Sequence, residues 1–144
     1  MTSTPRADAV GTASSSAGDA AGLLIRRADP ATAKPLDLEG TKGVSMQVMV
    51  GRADGAPNFA LRHFCVASGG HTPRHQHDYE HEVYVVEGEA KVESDGTFHR
   101  VRAGDVLFVP PNRVHQFVND GTVPFRFLCL VPVTFDCGKP TPGS

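Results

Sequence analysis

The chain has 144 residues, which suits one domain rather than two. Its 40% hydrophobic and 21% charged residues are a globular composition, and a net charge of −2 draws neither nucleic acid nor an anionic membrane surface. No apolar run is long enough to span a bilayer as a helix.

Residues 1–21 are small and polar, with little to bury, and read as a disordered N-terminal tail. They lack the charged-then-apolar pattern of a secretory signal. Cys65, Cys129 and Cys137 are odd in number and form no CxxC, so no disulfide framework is expected. These features read as a cytoplasmic protein with reduced thiols.

Leu23-Leu24-Ile25 is the first apolar cluster and is expected as a short strand or edge segment. Asp29-Pro30 and Lys34-Pro35 prevent a long helix from following. From Val44 to Val50 apolar residues alternate as in a strand, and Asp54-Gly55 marks a turn. Phe59 to Val66 is a second strand, expected to stop at Ser68-Gly69-Gly70. A His-rich segment leads into Val83 to Val86. Ala90 to Glu93 and Thr97 to Val101 flank the hairpin turn Ser94-Asp95-Gly96. Val106 to Val109, Val114 to Val118 and Phe125 to Val131 complete the set, each closed by Pro, Asn or Gly. Fifteen Gly and eleven Pro suit short strands joined by turns. The fold class is therefore all-β, a sandwich or barrel with a jelly roll leading, over residues 22–135. Residues 136–144 read as a flexible C-terminal tail.

The segment His75-Gln76-His77-Asp78-Tyr79-Glu80-His81 carries the chemistry. Read as an extended strand, it points His75, His77 and His81 the same way, because side chains two and four apart share a face. Imidazole is the commonest protein ligand for transition metals. His115, mid-strand after the Pro110-Pro111-Asn112 turn, is the best candidate for a fourth ligand. Of the remaining histidines, His63 and His99 read as surface or structural, and His71 as loop surface or a residue behind the ligands.

Two motifs in register resemble those of the cupin superfamily. The first is Gly69, His75, His77, His81 and Gly88; the second is Gly104, Pro110, Asn112, His115 and Asn119. They span 69–88 and 104–119, and the resemblance covers roughly residues 44–133. It implies a single-domain cupin jelly-roll β-barrel. Asn112 stands where the motif has Gly, and Asn tolerates a left-handed turn position best among the other residues. His81 stands where most relatives place a Glu ligand, so the chain is similar to the small cupins with a four-histidine, manganese-type site. Glu82 keeps an alternative motif spacing, but strand alternation turns it away from His75 and His77 unless a bulge intervenes.

The resemblance implies one divalent transition metal per chain, manganese first, with iron, zinc, nickel or copper as alternatives. Its ligands would be His75, His77, His81 and His115. Alternation places Phe117 inward with His115, and Val83 follows His81 inward. Phe127 and Cys129 are assigned to the pocket wall, Cys129 equally well as a small core residue. Analogy with the family turns Arg62 and Phe64 inward, Arg62 serving either an anionic substrate or a structural ion pair. Tyr79, Glu80 and Glu82 are possible outer participants, although alternation does not favour them. The implied pocket suits a small aromatic, alkene or diketone-like molecule better than a sugar phosphate.

Three functions are compatible with these residues. The first is an oxygenase-type enzyme of the dioxygenase kind. The second is a redox-neutral isomerase or lyase acting on a small carbonyl or sugar-derived compound. The third is a non-catalytic binding module. A small-molecule substrate and, by analogy, a homodimer are expected.

Overall fold

The computed structural model describes residues 22–136. The expected N-terminal tail, 1–21, lies outside these residues, as does the expected C-terminal tail from residue 137 on.

Nine strands account for nearly all regular structure: β1 (Lys34–Pro35), β2 (Lys42–Val50), β3 (Phe59–His71), β4 (His81–Glu87), β5 (Glu89–Ser94), β6 (Thr97–Arg102), β7 (Val106–Val109), β8 (His115–Val118) and β9 (Phe125–Pro132). Short 3-10 turns at Pro30–Thr32, Arg52–Asp54 and Val133–Phe135 are the only helical pieces among the described residues. All strand pairs are antiparallel, in the order β6-β5-β8-β3-β9-β4-β7, with β2 on the other edge of β3 and β1 beyond it. The sheet curls around one core, the all-β cupin barrel that the motifs implied.

Leu23 to Ile25 does not form a strand; Leu23 and Ile25 are exposed. No free sheet edge meets this triplet. The segment is tied down instead by Arg26, which donates to the Met49 carbonyl at 2.7 Å and pairs with Asp54 at 3.1 Å.

The strand beginning at Phe59 does not stop at Ser68-Gly69-Gly70 but runs on to His71. Gly69 takes φ of +82°, and the β2 register shifts between Lys42 and Val44, so a bulge absorbs the glycines without ending the pairing. The extension matters because His71 then pairs with Val118 of β8, joining the two halves of the sheet.

β9 shows the period-2 rule cleanly. Phe125, Phe127, Cys129 and Val131 are buried and their neighbours half-buried. Phe127 stacks on Phe117 at 4.6 Å and on Phe64 at 4.9 Å between ring centroids, linking β8, β9 and β3 through aromatic faces. Asp136 is buried, and its carboxylate accepts from the Arg52 backbone N–H at 2.7 Å.

Candidate metal centre

The His-rich segment is not one continuous strand. Residues 72–80 form a loop, broken by a single bridge at His75, and β4 starts only at His81. The loop is held by backbone hydrogen bonds rather than a ladder. His75 and His115 exchange them at 3.2 and 2.9 Å, and the His77 carbonyl accepts from Asn112 at 2.7 Å. Thr72 bonds the backbone of Phe117, its N–H donating at 3.0 Å and its hydroxyl accepting at 2.9 Å. Asn112 makes its contact from a left-handed turn, φ +63°, in agreement with the reading of that motif position.

This loop, the start of β4 and the start of β8 bring the four histidines together. One ring nitrogen from each of His75, His77 and His115 lies within 4.8 Å of the others. His81 completes the group, its ring centroid 4.7 Å from that of His77 and 5.2 Å from that of His115. The tautomers follow from the neighbours. His77 Nδ1 lies 2.9 Å from the Tyr79 carbonyl and His115 Nδ1 2.9 Å from the Arg113 carbonyl. A carbonyl only accepts, so both Nδ1 atoms carry the proton and both Nε2 atoms present lone pairs. His81 Nδ1 lies 3.1 Å from the Cys129 sulfur, which leaves His81 Nε2 facing His77 Nε2 at 3.0 Å.

This donor set fits a metal ion. Two ligand nitrogens at right angles around one ion, each about 2.1 Å from it, stand about 3.0 Å apart. His115 Nε2 is buried and has no hydrogen-bond partner, a costly state for a polar atom unless another group satisfies it. Burial, reinforced by neighbouring positive groups, lowers His75 and His77 from 6.5 to about 4 and His81 to about 2. Burial also lowers His115. The rings are therefore neutral near pH 7, the form that binds a metal. Glu82 does not join them. Its hydrogen bond to Glu80 and its partial desolvation raise it from 4.5 to about 7.

A small, partly open cavity of about 50 Å³ lies against this cluster. Arg62, Phe64, Phe117, Phe127 and Cys129 line it together with His75, His77, His81 and His115. Val83 does not; it is buried in the core, beyond the cavity wall. Leu36, Leu38, Thr72, Pro73 and Tyr79 also line it and were not assigned to the pocket wall. Nothing local in the sequence points to Leu36 or Leu38, which arrive from the segment before β2. Tyr79, an outer participant that alternation was not expected to favour, does face the cavity; its odd number puts it in phase with the histidines. Its ring stacks on His77 at 3.8 Å and on Phe135 at 3.8 Å.

The other histidines stay apart. His63 is fully buried on the opposite side of β3 and accepts from Arg126 Nε at 3.1 Å. His71 lies beside the Thr72 carbonyl and Gln116, and His99 is exposed on β6.

Comparison with known proteins agrees with the fold. The Cupin domain family matches residues 62–131. The polyketide cyclase RemF from Streptomyces resistomycificus is 31% identical, over 76% of this chain and 80% of that one, with a TM-score of 0.67. A cupin 2 domain-containing protein from Halorhodospira halophila is 34% identical, over 70% of this chain and 75% of that one, with a TM-score of 0.61. Among curated proteins, an uncharacterised protein of Methanocaldococcus jannaschii is 32% identical over 71 residues, 49% of this chain and 57% of that protein. The chain thus spans a little over half the length of that curated relative. It belongs to the cupin family. No helix among the described residues is long and apolar enough to cross a membrane.

Proposed function

We propose that this chain is a metal-dependent enzyme in which His75, His77, His81 and His115 hold one divalent transition metal, with manganese the first candidate. The observation that carries this reading is the pair of Nε2 atoms facing each other at 3.0 Å beside the unpartnered Nε2 of His115. A metal held by four neutral imidazoles keeps its full charge and supplies Lewis acidity, with room for substrate and for an oxidant such as dioxygen.

The chain's own residues do the rest. The backbone clamps on His75 and His77 fix the rings before any ligand arrives. Phe64, Phe117 and Phe127 offer flat apolar walls to a small aromatic, alkene or diketone-like substrate and exclude water from it. No carboxylate or lysine lines the cavity among the described residues, so no general base stands ready. That favours an oxygenase-type reaction over proton abstraction. A redox-neutral reaction of a carbonyl substrate is the second reading, favoured by the 31% identity to a protein described as a polyketide cyclase.

The test is metal analysis and EPR on protein purified without added metal, followed by oxygen and peroxide consumption with 1,3-diketones and styrenes. Manganese or iron with oxidant uptake supports the first reading. Stoichiometric zinc with no uptake overturns it, and a rearranged or cyclised product formed without oxidant supports the second. Protein that holds no transition metal overturns both.

A further inference from the structure

Arg62 is only 4% exposed, on the inner face of β3, and it lines the same cavity as the four histidines. A guanidinium buried this far is normally paired with a carboxylate. None of the ion pairs among the described residues includes Arg62. Its flat face rests on the Phe64 ring, 4.9 Å from the centroid. Such stacking satisfies the π-face of the cation and leaves its in-plane donors unused. Nη2 reaches only the Cys129 sulfur, a weak acceptor, at 3.4 Å. Nε is buried with no partner.

The charges around Arg62 do not compensate it. No Asp or Glu lines the cavity among the described residues. A divalent metal beside the histidines would add to the positive charge rather than cancel it. A buried charge left unpaired is costly unless a ligand completes it. The planar Nε–Nη fork matches a carboxylate.

We infer that Arg62 is a specificity-determining residue that takes a carboxylate of the substrate, so that the aromatic, alkene or diketone-like molecule of the reading above also bears a carboxylate. The inference rests on the reading above for this cavity being the substrate site. The aromatic walls then hold the apolar part while Arg62 sets its direction.

Benzoate and its neutral counterpart benzamide are the probes, titrated calorimetrically into manganese-loaded and metal-free protein whose metal content is measured separately. Loaded wild type binds benzoate at least about tenfold more tightly than benzamide. Metal-free wild type keeps a preference for benzoate, because Arg62 remains. Arg62→Met retains the metal content of wild type but loses most of the benzoate preference, and Arg62→Lys restores part of it. Wild type that binds benzoate no better than benzamide when metal-free overturns the inference. An unchanged preference in Arg62→Met overturns it equally. The metal-free comparison stands whether or not Arg62→Met folds. Failure to take up metal would count against the metal site alone, with the benzoate preference still deciding the role of Arg62.

Discussion

The burial of the four histidines makes the stability of the chain depend on pH. In the unfolded chain they titrate near 6.5, while in the fold His75 and His77 titrate near 4 and His81 near 2. Between those values the unfolded state binds more protons, so stability rises with pH there. The melting temperature of metal-free protein should therefore fall as pH drops from about 6.5 through about 4, with no contribution from these groups above 6.5. Scanning calorimetry across that range checks it; a melting temperature that rises on acidification contradicts the burial of the rings. His81 also decides the ligand set. His81→Ala should lower metal affinity by at least about 100-fold, whereas Glu82→Ala should leave it unchanged. Competition with a chelator measures both, and the reverse pattern would assign the metal to Glu82. The odd spacing of His75, His77 and His81 was visible in the sequence. The direction of each lone pair was not, because it depends on the carbonyls of Tyr79 and Arg113 and the sulfur of Cys129.

Elements show why a correct grouping came with an incomplete reason. Alternation along a strand was expected to align the histidines, but residues 72–80 are a loop. What aligns them is the bridge between His75 and His115 and the turn at Asn112 that donates to the His77 carbonyl. Asn112 is thus a structural support of the site. Because its φ is +63°, Asn112→Gly should change stability by less than about 1 kcal/mol and leave metal affinity intact. Asn112→Val should cost about 1–2 kcal/mol and weaken metal binding as the turn distorts. Urea titration with and without metal checks both; equal stability of the Gly and Val variants would mean that the turn carries no strain. Strand limits were legible where turn residues stood outside the ladder, as at Asp95-Gly96 between β5 and β6. They were not legible at Ser68-Gly69-Gly70, where a bulge in the β2–β3 register kept the pairing going.

At the scale of the whole molecule, the segment after β9 returns to the site. Phe135, from the turn that follows β9, stacks on Tyr79, which stacks on His77. This three-ring column connects the end of the described chain to a candidate ligand. Phe135→Ala should destabilise the protein by about 3 kcal/mol. It should also lower metal affinity, since the His77 loop loses its outer support. A thermal melt together with a metal titration checks this, and an unchanged metal affinity would show that the backbone clamps alone position His77. The sequence by itself determined the class of fold and the identity of the histidines. Both are written in local signals: the period of two, the turn residues and the motif spacing. Only the tertiary structure brought Leu36 and Leu38 to the cavity wall and Phe135 against Tyr79, because they come from distant parts of the chain. It alone also left Arg62 without a carboxylate partner among the described residues. Whether a buried charge is paired depends on every element packed around it, and no pattern along one strand encodes that.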